Sequence, residues 1–123
     1  MIYMGIDPGV HGGIAWLNDE DGTEGAAVKM PTGDLDIVFL FESIRGSRPV
    51  RAVIERVHSS PQMGVVSAFT FGRGYGRLLM ALAAAGIPYD DVTPQRWQTA
   101  MGCRTGGDKG VTKALAQKMF PKL

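Results

Sequence analysis

Two carboxylates stand where they could do chemistry together. Asp7 closes the apolar run Ile2–Ile6, and Glu55 closes the run Ala52-Val53-Ile54. Each is followed by loop residues. If the two runs are neighbouring strands that reach the same sheet edge, both side chains meet at one point, outside the strand ends where open α/β sheets bind ligands. Carboxylates held close repel each other unless a cation lies between them. Oxygen-only ligands suit Mg²⁺ or Mn²⁺, and such ions activate water and stabilise in-line phosphoryl displacement. The plain alternative is that Asp7 merely caps its turn, since Asp7-Pro8-Gly9 is a turn signal in any protein.

The elements that must place these residues follow from pattern. Ile2–Asp7, Gly13–Leu17 and Ala26–Met30 are short β-type runs joined by tight polar turns, which predicts an antiparallel meander. Thr32 or Asp34 caps a helix over Leu35–Arg45, with Ile37, Val38, Phe41 and Ile44 at helical spacing. Ala52–Glu55 is fully apolar before its carboxylate, as a central parallel strand would be. A long helix over Val66–Ala85 buries Ala68, Phe69, Tyr75, Leu78, Leu79, Leu82 and Ala83, and Gly86 ends it. Tyr89–Val92 is a strand. Thr93 and Pro94 then open a short helix through Met101, and Gly110–Met119 is the last helix. A meander followed by strand–helix alternation predicts a three-layer α/β/α protein with a five-stranded mixed sheet.

The chain of 123 residues makes one domain, residues 1–123, with enough apolar surface for a core. Its net charge of +1 conceals an asymmetry. Residues 1–42 hold eight acids against Lys29 alone, net −7. Residues 43–123 hold twelve bases against Glu55, Asp90, Asp91 and Asp108, net +8. Such a split suits a polyanionic partner met by one face, or two solvated faces of opposite sign. Lone Cys103 excludes an intramolecular disulfide framework and an all-cysteine metal site. Read as an exposed thiol, it fits a reducing compartment. The start MIYMGIDPG has no signal-peptide pattern. Arg73 and Arg77 interrupt the longest apolar helix, so no membrane span is expected.

Several blocks, in order, carry a resemblance. Gly5-Ile6-Asp7-Pro8-Gly9 with Gly12-Gly13-Ile14-Ala15 resembles the first motif of the RuvC-like Holliday junction resolvases, of ribonuclease H-like fold. Val53-Ile54-Glu55-Arg56-Val57-His58 resembles their second. Phe71-Gly72-Arg73-Gly74-Tyr75-Gly76, Ile87-Pro88-Tyr89, Val92-Thr93-Pro94-Gln95-Arg96-Trp97, Met101-Gly102 and Asp108-Lys109 are similar to the phage and prophage branch. The match covers nearly the whole chain.

The resemblance implies a metal-dependent endonuclease that cuts four-way or other branched DNA in recombination, repair or phage DNA processing. It implies a homodimer in a bacterial or phage-infected cytoplasm. Asp7 and Glu55 become ligands of Mg²⁺, or Mn²⁺, in a site whose two ions lie about 4 Å apart across the scissile phosphate. Lys109 would stabilise transition-state charge, or be an ordinary first-turn lysine. Arg73, Arg77, Arg96, Arg104 and Lys113 would line a phosphate-binding groove, or form solvated helix faces. His58 falls where related enzymes approach the junction centre, or is a plain loop histidine. Trp97 stands where the cellular enzymes carry a basic residue; core packing or base stacking would account for it.

The chain departs from the pattern at one place. The family's third motif is an acid pair on a C-terminal helix, and no acid follows Asp108 here. The expectation is therefore a domain shortened at its C-terminus, with weak metal binding and little or no cleavage. A non-catalytic module that binds branched DNA is the alternative. Gly72, Gly74 and Gly76 lie inside a predicted helix, each at about 1 kcal/mol against alanine. Helix-on-sheet or dimer packing explains them, or close approach to DNA. Gly106–Gly110 has the wrong spacing for a Walker A loop. A Cys103–His58 thiol enzyme lacks any local signature. An actin-like ATPase would need a second domain for which 123 residues leave no room.

Overall fold

A computed structural model describes residues 1–19, 25–58, 60–103 and 108–119. The chain runs β1 (Ile2–Asp7), β2 (Gly13–Asn18), β3 (Gly25–Lys29), α1 (Asp34–Arg45), β4 (Val50–Glu55), α2 (Val65–Ala84), β5 (Tyr89–Val92), α3 (Pro94–Met101) and α4 (Lys109–Met119). The element order is the one expected, with ends moved by one or two residues. One mixed sheet has the order β3-β2-β1-β4-β5. The meander β1–β3 is antiparallel, and β4 runs parallel to both β1 and β5. The predicted α/β architecture with a five-stranded mixed sheet therefore stands.

Strand alternation assigns the two faces. In β1, Ile2, Met4 and Ile6 are buried while Tyr3, Gly5 and Asp7 are not. In β4, Val50, Ala52 and Ile54 are buried, and Arg51, Val53 and Glu55 point the other way. The buried set meets Ile37, Phe41 and Ile44 of α1 and Leu78, Ala81 and Leu82 of α2 in one core. Each large apolar side chain fully withdrawn from water contributes about 1.5–3 kcal/mol, so this face holds the fold. The opposite face is more open: Tyr3 is 50% exposed and Val53 41%. Neither α3 nor α4 contributes a buried residue. Trp97 of α3 bonds to Glu55 on this face, and Lys109 of α4 lies within electrostatic reach of Asp7.

Several local expectations change. Neither Thr32 nor Asp34 caps α1; Gly33 holds the cap position without a side-chain bond. Both are engaged by Arg77 of α2, whose Nη1 donates to the Thr32 carbonyl at 3.2 Å and to Asp34 Oδ1 at 3.0 Å. Phe69 is 72% exposed rather than buried, and Ala83 is exposed as well. Only the C-terminal half of α2 reaches the core, through Leu78, Ala81 and Leu82. A Cβ added at Gly72, Gly74 or Gly76 would meet no atom within 4 Å, so packing on the sheet does not require these glycines. Gly86 does end α2, at φ +69°, where a residue without Cβ is unstrained. Cys103 is 2% exposed, not the open thiol expected.

Candidate active site at the carboxyl edge of the sheet

The parallel register of β1 and β4 ends at Ile6 opposite Ile54. Asp7 and Glu55 are each one residue further on, at adjacent strand ends and on the open face. The expected juxtaposition is therefore present. Asp7 carries its mark: burial first, and the Glu55 charge second, push its pKa above the usual aspartate value. Lys109 pulls the other way, so its ammonium lies within electrostatic reach of Asp7. Lys109 is the first residue of α4 rather than part of the preceding loop.

The turn after β1 is fixed by its glycines. Gly9 has φ +109°, a conformation that side chains resist. Its carbonyl accepts from Gly12 N at 3.0 Å. A Cβ on Gly12 would collide with the Asp7 carbonyl oxygen and would lie 2.8 Å from the Asp7 carbonyl carbon. Gly13, paired with Asp7 across the hairpin, leaves no room for a Cβ beside the Val28 carbonyl. The glycine-rich block thus sets the direction in which Asp7 leaves the sheet.

Glu55 is held from the other side. Trp97 Nε1 donates to Glu55 Oε2 at 2.8 Å. The path between the two is short and regular: Glu55 pairs with Val92 of β5, Thr93 caps α3 by accepting from Arg96 N at 3.2 Å, and Trp97 follows one turn later. Trp97 is only half-buried and lies outside the core cluster, which corrects its reading as core. Sequence inspection missed its part at the site. The available signal was a tryptophan one turn into a Thr-Pro-capped helix that directly follows the strand beside β4.

The remaining residues are distributed around this point. Arg73 and Arg77 line a groove of about 570 Å³ with Gly9, Val10, Thr32 and Phe71, beginning just past the Asp7 turn. Arg77 is tied to Asp34 there, and its buried Nε has no hydrogen-bond partner among the described residues. Arg96 and Lys113 are exposed on α3 and α4, and His58 is exposed three residues beyond Glu55. Arg104 lies outside the described residues. Two further bases of the positive half are neutralised locally, Arg51 by Asp90 at 2.8 Å and Arg56 by Asp91 at 2.9 Å.

The donor set is two carboxylates with one ammonium near by. Among the described residues no three His, Cys, Asp or Glu converge as a metal site would need. Mg²⁺ is commonly held by one or two carboxylates, with water and phosphate oxygens completing its shell. Asp7 and Glu55 fit that half-shell, and their mutual repulsion is what a cation would relieve.

The order and direction of these strands and helices are a fold already seen in solved structures. A solved structure of Thermus thermophilus RuvC aligns with a TM-score of 0.69 at 18% identity, over 98% of this chain and 81% of that one. A second, T. thermophilus RuvC in complex with a Holliday junction substrate, gives 0.68 at 19%, over 98% and 79%. The fold is RuvC-like. No family model matches the sequence, and no curated protein does. Among the described residues, no helix is long and apolar enough to cross a membrane.

Proposed function

We propose that this chain is a divalent-metal-dependent endonuclease acting on four-way or otherwise branched DNA. The observation that carries the reading is the meeting of Asp7, Glu55 and Lys109 at one edge of a RuvC-like sheet. Asp7 and Glu55 would hold Mg²⁺ or Mn²⁺, which when bound supplies a polarised water and charge neutralisation for phosphodiester hydrolysis. Lys109 places a positive charge where negative charge grows on the phosphate. Arg73, Arg96 and Lys113 would contact the backbone of the duplex arms, which positions DNA without reading its sequence.

A homodimer belongs to the same reading, as a junction presents paired strands to two sites. α2 supports it with an exposed apolar edge at Val65, Phe69 and Met80, which are 87%, 72% and 69% exposed. Gly72 and Gly76, open at their Cβ positions, lie between them. The test is cleavage of synthetic four-way junctions with Mg²⁺ alongside metal-free gel shifts. Cutting by the native chain that is lost in Asp7→Asn and Glu55→Gln supports the enzyme. Tight metal-free binding with no cutting favours the second reading, a branched-DNA binding module.

A further inference from the structure

We infer that Trp97 is the positioning residue for Glu55: its indole N–H fixes the carboxylate so that Oε1 is presented to a divalent cation shared with Asp7. The inference rests on the metal reading above and adds a residue to it. Three observations carry it. The first is geometric. The Trp97 Nε1 to Glu55 Oε2 distance of 2.8 Å is that of a charge-assisted hydrogen bond, and it engages a single oxygen. The second is chemical. Indole N–H is donor only; it does not titrate in the protein range and cannot ligate a metal. It therefore orients Glu55 without competing for the cation and without adding a positive charge beside it, whereas Lys109 supplies its charge on the Asp7 side. The third is the mounting. α3 is clamped at its start by the Thr93 cap and Pro94, and at its end by left-handed Gly102. β5 in turn is in register with β4 at Glu55 itself. The donor is thus carried on a short, doubly capped helix whose own packing contributes no buried residue. A role in core stability does not account for that placement.

Partners that orient metal ligands typically change metal affinity about 10–100-fold when removed. Trp97→Phe keeps the ring and loses the donor. Mn²⁺ binding by titration calorimetry at pH 8, without DNA, is the readout, with thermal melting and metal-free junction binding as controls. The expected result is Mn²⁺ binding weakened about 10–100-fold in Trp97→Phe, with both controls unchanged. Wild-type Mn²⁺ affinity in Trp97→Phe overturns the inference and leaves the metal reading intact. No saturable Mn²⁺ binding in the wild-type chain overturns the metal reading, and this inference with it. A fall in melting temperature matching the fall in affinity assigns Trp97 to packing and also overturns it.

Discussion

Gly12 lies against the backbone of Asp7 so closely that any side chain at position 12 would strike the Asp7 carbonyl. The atom in the way is backbone, in a hairpin where Asp7 pairs with Gly13, so it cannot swing aside as a side-chain tip would. Gly12→Ala is expected to move Asp7 and to lower stability by about 1–3 kcal/mol, the usual range for overpacking. That corresponds to roughly 5–15 °C in Tm. Calorimetric melting and Mn²⁺ titration of the same sample check it. A variant that keeps both its Tm and its metal affinity would show that the hairpin yields more readily than its geometry implies.

Asp7 links the site to pH. Burial and the Glu55 charge raise its pKa in the folded chain above the ordinary 3.8. Between the unfolded and folded values the folded state binds more protons, so stability declines as pH rises through that window. The deficit persists at neutral pH. Asp7→Asn should therefore melt higher than the native chain at pH 7 in chelator, the difference vanishing below pH 3.8. An excess of Mg²⁺ should narrow the gap by raising the native Tm alone. Equal or lower melting of the variant at pH 7 would contradict the penalty that burial first, and the Glu55 charge second, place on the ionised Asp7.

Arg73 and Arg77 share a helix face but not their surroundings. Arg77 bonds Thr32 and Asp34 and ties α2 to the start of α1. Its pair is partly exposed, with Asp34 at 72%, so its removal should cost on the order of 1 kcal/mol or less and change DNA binding little. Arg73 is exposed along the groove. Arg73→Ala should leave Tm unchanged and flatten the log K against log salt slope for junction binding by about 0.9, one phosphate contact. Gel shifts at several salt concentrations separate the two, and the same slope change in both variants would refute the division.

The apolar edge of α2 makes a prediction about assembly. Phe69→Glu puts a charge where Phe69 is 72% exposed, so the protomer's own fold should tolerate it. Sedimentation velocity is expected to show dimers of the native chain and monomers of the variant, with identical far-UV circular dichroism. A native chain that is monomeric at tens of micromolar would remove this edge as the interface.

Much of the scaffold was legible because it rests on period. The alternation of β1 and the 3.6-residue spacing of α1 locate both elements within a residue or two. The terminal positions of Asp7 and Glu55 brought them together once the strands were parallel neighbours. Phe69 misled because helical spacing shows which residues share a face, not how far along the helix the core extends. Thr32 and Asp34 have the right chemistry for a cap, yet the helix starts at Asp34 itself with Gly33 at the cap position, and the Asp34 carboxylate accepts from an arginine 43 residues away. Cys103 and Trp97 were misread for the same reason. Trp97 is placed by a bond to Glu55, 42 residues away, and the burial of Cys103 likewise has no signature of fixed spacing in the chain.

The pairing of β1 with β4 spans a long separation: Ile2 is matched with Val50. The hairpin of β1 and β2 can form early, since its contacts are local, but it presents Asp7 alone. Glu55 arrives only when the chain has closed the loop through α1, and non-local parallel pairing is the slow step in folds of this kind. Trp97 comes later still in sequence. The site therefore has no partial version. A nascent or half-folded chain holds one carboxylate without the other, so the cation capture proposed above would appear only with the completed sheet and would serve as a kinetic reporter of native topology.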